Sequence, residues 1–405
     1  MSLSTSFRRL AWSNLAAQSA EQMTLAAAPI IAVLMLGAGA AETGLLSASQ
    51  SLPFLLLSLP AGVLADRMRR KRLMVVAELL RAAALFTLPI LLWQGWLTVV
   101  NLAWIGAFTA TGTVVYSVAA PALVPTLVDR AQLATANTRL EIARSIAFAA
   151  GPSVAGVLVA AIGGGAAFAI AGVLSLSAAG LIAAIAETER TPSIKRHVFA
   201  ELAEGLRFVR TQPLLMAIMA TSVVWSISYF LLQSVYVLYA VQRLGLTADA
   251  VGLTLGAYGA GMLIGALTAP LILQRMSIGK FITLGPIGSL LGVLVVVGSR
   301  FVPGIAVPLA GFFIFGIGPI WWTIGQTTLR QSLTTPALLG RVSALFMVAS
   351  FGARPIGAAI GGLVGETFGL DAAMTLAAVG FSLQMLIVLI SPIPSLRRLP
   401  GAPAA

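Results

Sequence analysis

Gly62-Val63-Leu64-Ala65-Asp66-Arg67-Met68-Arg69-Arg70-Lys71-Arg72 closes one long apolar run and opens another. Upstream, residues 43–65 carry no charge; downstream, residues 73–93 carry only Glu78 and Arg81. Two apolar runs of about twenty residues, joined by a short basic cluster, read as a pair of membrane-spanning helices with the cluster on the cytoplasmic side. The whole chain fits that reading. Of its 405 residues 59% are hydrophobic and only 9% charged, against roughly 25% charged in an ordinary globular domain. A soluble enzyme, a nucleic-acid-binding module and a disordered chain are excluded. A porin-type barrel is excluded too, because the apolar runs do not alternate in strand-length pieces of about ten residues. There is no cysteine, hence no disulfide and no thiolate metal site.

Further apolar segments lie near 12–36, 98–124, 138–162 and 165–186, and, after a polar stretch, near 213–242, 249–274, 281–299, 303–329, 341–365 and 371–391. The expected fold is therefore all-α and integral to the membrane, with twelve transmembrane helices. It divides into a six-helix bundle over 1–186, a cytoplasmic linker over 187–212, a second six-helix bundle over 213–396 and a tail over 397–405. Lys and Arg number 25 against 13 Asp and Glu, and their placement sets the sidedness. Arg8, Arg9, Arg67–Arg72, Arg130, the linker arginines, Arg275, Lys280, Arg330, Arg341, Arg397 and Arg398 fall on one side; the opposite loops hold Arg243 and Arg300. Both termini are expected in the cytoplasm, in a multi-pass protein of the bacterial inner membrane. Arg8 and Arg9 precede an apolar run, as in a signal peptide. Asn14, Gln18, Glu21 and Gln22 interrupt that run, so it reads as a span and not as a leader. The two halves carry a degenerate repeat: Arg67-Met68 recurs as Arg275-Met276, Gln274 stands opposite Asp66, and Lys280 opposite Arg72. Parallel repeats around a central site are a known transporter layout.

The stretch 62–72 resembles the loop signature of the major facilitator superfamily, Gly-x-x-x-Asp-Arg-x-Gly-Arg-(Arg/Lys)-(Arg/Lys). Gly62, Asp66, Arg67, Arg70, Lys71 and Arg72 match, and Arg69 stands where the family has a second glycine. Gly151-Pro152-Ser153-Val154-Ala155-Gly156 is similar to the core of that superfamily's antiporter motif, through Gly151, Pro152 and Gly156. The arginine common in the fourth helix of drug–proton antiporters is absent, and Phe108 sits near its place. With Gly205-Leu206-Arg207-Phe208 and Leu339-Gly340-Arg341-Val342, the combination resembles the branch holding macrolide-efflux proteins and the enterobactin exporter. The resemblance implies two rocking halves, a cavity lined by spans 1, 4, 7 and 10, and a cytoplasmic gate at Asp66 and the basic residues behind it. Physically, Asp66 can accept hydrogen bonds at the positive N-terminus of the eleventh span. The basic residues can pair with acids or anionic lipid, or simply fix topology.

No Walker A sequence occurs, because Gly279-Lys280 lacks the upstream glycine loop. No metal-ligand pattern occurs, and His197, the sole histidine, lies in the polar linker. No enzyme activity, cofactor or metal is expected, and energy must come from a gradient or a partner. Intramembrane ionisable residues are then the candidates, since each costs at least about 2.5–3.5 kcal/mol to insert. Asn14, Gln18, Glu21 and Gln22 share one helical face. A buried carboxyl at Glu21 can exchange a proton for substrate, or can make a structural hydrogen bond to a neighbouring span. Arg354, near the middle of the eleventh span, holds its charge and needs an anionic partner, either protein or substrate. Glu78 and Arg81, and Glu141 and Arg144, are spaced i, i+3 and suit local ion pairs. Polar and aromatic stripes supply the expected cavity wall: Gln18 and Gln22; Thr113 and Tyr116; Trp225, Tyr229 and Gln233; Trp322 and Gln326. Aromatic rings with few fixed hydrogen bonds suit bulky amphipathic ligands. The expected function is proton-coupled export of such compounds, drug or siderophore in type, by a monomer whose partners are its small-molecule substrate, protons and lipid. Uptake, lipid or lysophospholipid translocation by the same fold, and a non-transporting receptor or regulatory partner are the alternatives.

Overall fold

A computed structural model describes residues 4–129, 132–186 and 198–398, without the side chains of residues 63, 65–67, 122, 134, 198–201, 336 and 337. Thirteen α-helices fill the described residues: α1 (Thr5–Leu34), α2 (Ala40–Arg67), α3 (Arg70–Trp93), α4 (Val99–Leu127), α5 (Leu133–Ala161), α6 (Gly164–Ala183), α7 (Val198–Arg210), α8 (Pro213–Gln242), α9 (Ala248–Leu273), α10 (Ile278–Gly298), α11 (Ala306–Leu333), α12 (Pro336–Thr367) and α13 (Leu370–Ile390). Local signals set several ends. The Ser4 hydroxyl caps α1 by accepting from the Phe7 amide, Thr98 and Asn101 form a capping box on α4, and Pro213 starts α8. Six tight turns at one end of the molecule each contain one glycine with positive φ: Gly37, Gly95, Gly163, Gly245, Gly304 and Gly369. A side chain would be strained in that region.

Eleven of these helices are long and apolar enough to cross a membrane. α1 falls outside that set, since Asn14, Gln18, Glu21 and Gln22 dilute its apolar content, although it packs inside the bundle against α5, α6 and α4. Large apolar side chains such as Leu267, Leu363 and Val379 are exposed on the outer faces, and Trp93, Trp96 and Phe368 sit exposed beside the glycine turns. That distribution suits a lipid surround with an aromatic belt at its edge. The expected polar linker contains a helix, α7. Its Leu202, Leu206 and Val209 recur at i, i+4, i+7, so burying that face makes a helix out of a segment that is polar on average. Val209 packs with Leu215, Val342 and Phe346, and Glu204 pairs with Arg341 on α12. His197 and the linker residues before it lie outside the described residues.

The same packing scheme occurs twice. α1 packs on α5 and α6, α3 on α4 and α6, and α2 on α4; α8 packs on α12 and α13, α10 on α11 and α13, and α9 on α11. Between the two groups, α2 meets α12 and α5 meets α9. These seams close where glycines let backbones touch. A Cβ on Gly44 would stand 2.5 Å from the Cα of Gly362, and one on Gly156 would stand 2.8 Å from that of Gly252. Both approaches lie at the glycine-turn end, where Glu366 of α12 also accepts from the Ala41 amide of α2 at 3.3 Å.

Candidate functional site

Between the two groups lies a cavity of about 350 Å³, within the size range of small-molecule sites. α1 supplies Glu21 and Gln22; α2 supplies Thr43, Ser47, Gln50, Ser51 and Phe54; α5 supplies Arg144 and Phe148. The other wall comes from Trp225, Tyr229, Phe230 and Gln233 of α8, Tyr258 of α9, Thr323 of α11 and Arg354 of α12. Trp225 stacks on Tyr229 with ring centroids 4.9 Å apart and planes 8° apart, and Tyr229 stacks in turn on Phe315 at 5.9 Å. The result is a rigid aromatic wall.

Glu21 and Arg354 face this cavity from opposite groups. Among the described residues, Glu21 makes no hydrogen bond and no ion pair; the charges around it are Arg81, Arg354, Glu78 and Arg144. Arg354 makes none either, and its guanidinium lies over three rings, Phe351 at 4.2 Å and Phe54 and Phe230 at 5.1 Å. The other two charge pairs are closed. Arg144 pairs with Glu141 at 2.9 Å. Arg81 donates to Glu78 at 3.2 Å and to the Ala17 carbonyl of α1, also at 3.2 Å, and both side chains are buried. Glu78 Oε2 has no hydrogen-bond partner among the described residues.

Several expected wall residues sit elsewhere. Thr113 lines a smaller chamber of about 30 Å³ with Glu21, Gln50, Thr109 and Arg81, so α4 opens onto this side chamber and not onto the main cavity. Tyr116 is buried within the first group, sharing a hydrogen bond of 3.1 Å with the Ser13 hydroxyl. Trp322 turns away to pack on the Gly285 backbone of α10, and its neighbours Ile320 and Thr323 take the cavity face. Gln326 donates to Thr327 at 3.1 Å, and Gln18 is half-buried; neither is among the lining residues. A tryptophan in a polar stripe need not face a cavity, because its ring packs equally well against a glycine-lined helix groove. The polar face of α2 was missed, although Thr43, Ser47, Gln50 and Ser51 recur at helical spacing in the sequence.

In the motif region, Lys71 donates to the Ile185 carbonyl at the end of α6 at 2.7 Å, Arg70 is buried, and the Cβ position of Gly62 is open. The side chains of Asp66 and Arg67 lie outside the described residues. A Cβ on Gly151 would stand 2.6 Å from Gln22 Cβ, so Gly151 seats α5 on α1 one residue from Glu21. Pro152 is buried beside it, and Gly156 lies in the α5–α9 seam.

A paired-bundle membrane fold around a charged and aromatic cavity is that of a transporter, and the comparisons place it. A model of the transmembrane secretion effector family matches residues 3–403, and the chain belongs to that family, within the major facilitator superfamily. It is 26% identical over 337 residues to macrolide efflux protein A of Streptococcus pyogenes, covering 79% of this chain and 80% of that protein. It is 27% identical over 400 residues to the multidrug efflux pump Tap of Mycolicibacterium fortuitum, covering 95% of each. Among solved structures, a mutant of the nucleoside transporter NupG superposes with a TM-score of 0.75 at 12% identity, covering 95% of this chain and 98% of that one. A bacterial homologue of the human lysosomal transporter Spinster, inward-facing and unoccupied, gives 0.73 at 14%, covering 98% of each. These structural likenesses show the fold alone. The chain is a multi-pass membrane transporter and not an enzyme.

Proposed function

We propose that this protein exports bulky amphipathic small molecules across the bacterial inner membrane by alternating access, driven by inward proton flow through Glu21. One observation carries the reading: a carboxylate with no hydrogen-bond or ion-pair partner among the described residues faces an aromatic cavity at the junction of two helix groups. Leaving a charge there is expensive, and the cost is offset if the group exchanges a proton for substrate. The names of the relatives, macrolide and multidrug efflux proteins, agree with an exporter of such compounds. In this reading α1 is the twelfth span, both termini are cytoplasmic and the cavity opens to the cytoplasm. The Gly44–Gly362 and Gly156–Gly252 seams close the outer end. Lys71, Arg70 and Arg72, with Asp66 and Arg67, form the inner gate when the halves rock.

The test is proton release from purified protein in detergent on adding a panel of macrolides, siderophores and lipophilic cations. Ligand-dependent release in the wild type, lost in Glu21→Gln while binding persists, is the expected result. Release that persists in the variant places the proton elsewhere, with Glu78 the next carboxylate to test.

A further inference from the structure

Counting charges around the cavity narrows its guest, given the reading above that the cavity is the substrate site. Arg144 is neutralised by Glu141 and Arg81 by Glu78. What remains is one carboxylate, Glu21, on the wall formed by the first group, and one guanidinium, Arg354, on the wall formed by the second. From this we infer that the cavity is built for a zwitterion: an aromatic or apolar body carrying one anionic group and one cationic amine.

The surroundings of Arg354 fit an anion. Phe54, Phe230 and Phe351 cover the guanidinium. Phe54 and Phe351 stand edge to face at 78°, so the rings do not all stack on one plane; the guanidinium keeps N–H donors for a planar, bidentate acceptor such as a carboxylate, and among the described residues none of these donors is used by protein. Two further lining residues carry buried donors that find no partner among the described residues, Trp225 Nε1 and Gln50 Nε2, and a buried donor is left unpaired only at a cost. Glu21 supplies the complementary acceptor for an amine, and the Trp225–Tyr229 stack supplies a flat surface for the body between the two charges. A zwitterion pairs both charges. A simple cation leaves Arg354 unpaired and adds a like charge beside it, and a simple anion does the same at Glu21.

The experiment uses three compounds of one skeleton: a naphthylalanyl-phenylalanine dipeptide with free termini, its C-terminal methyl ester and its N-acetyl derivative. Binding to the purified full chain is followed by isothermal titration at pH 7.5. The wild type should bind the zwitterion at least tenfold tighter than either singly charged form. Arg354→Gln should bring the zwitterion-to-ester ratio near one, and Glu21→Gln should do so for the zwitterion-to-acetyl ratio. Arg354→Lys keeps the charge without the bidentate fork and should retain a reduced preference, between those of the wild type and Arg354→Gln, which separates charge from a folding defect. Tyr229→Ala should weaken all three compounds together. Equal binding of ester and zwitterion by the wild type, ratios unmoved by the Gln variants, or binding by none of the three overturns the inference and leaves the exporter reading standing. Binding of all three untouched by Tyr229→Ala lies outside the cavity and overturns both.

Discussion

Gly156→Ala should bias the transporter towards the state open at the glycine-turn end. The added Cβ would lie 2.5 Å from the Ala248 carbonyl oxygen, about 0.9 Å inside the 3.4 Å at which ordinary contact begins, and 2.8 Å from the Gly252 Cα. Both obstacles are backbone, so neither can swing aside. Overpacking of this kind costs about 1–3 kcal/mol, and only the state in which α5 and α9 touch here bears the cost. The ratio of open to closed states should rise about 5–150-fold. The chain has no native cysteine, so one reporter is clean: Thr43→Cys, buried on α2 beside the other closed seam. Labelling by a membrane-impermeant maleimide added outside intact cells should be at least about fivefold faster when Gly156→Ala is present. Gly180→Ala, whose Cβ would meet nothing within 4 Å, should leave the rate unchanged. An unchanged rate with Gly156→Ala would refute the argument that this seam belongs to an alternating closure.

Other consequences follow from the buried charges and the motif. Glu78→Gln removes the charge that neutralises a guanidinium 2% exposed, so the protein should lose about 3–5 kcal/mol of stability, read as a lower melting temperature in detergent. Asp371→Asn removes the charge, half-buried at the surface, that pairs with the exposed Arg243, and its melting temperature should barely move. Lys71→Met breaks the bond to the Ile185 carbonyl and should make the α6 end more open to limited proteolysis while ligand binding in the cavity is retained. Gly151→Leu should unseat α5 from Gln22 and abolish proton release on ligand addition, with the protein still inserted in the membrane.

The spans were legible because apolar length is a property of single segments: the apolar run near 213–242 coincides with the bounds of α8. Glu21 and Arg354 were legible as charges with no place in lipid. What the sequence could not provide was rotation. Trp322 and Thr323 differ by one residue, about 100° around the helix, and only the packing of α11 on α10 decides which of them faces inward. Tyr116 was misplaced for the same reason: its partner, Ser13, is 103 positions away. α7 was hidden because average polarity masked a narrow apolar face. The seam glycines Gly44, Gly156, Gly252 and Gly362 stand in the sequence, but their partners across the two groups are set only by packing.

The most direct test of the account is substrate-driven proton movement in sealed, inside-out vesicles with an interior pH dye. With wild-type protein and an outward-directed proton gradient, adding a transported substrate should speed dissipation of the gradient as the substrate accumulates inside. Glu21→Gln should bind the substrate yet move no protons and accumulate nothing against a gradient. Substrate accumulation coupled to proton loss in Glu21→Gln would contradict the central claim.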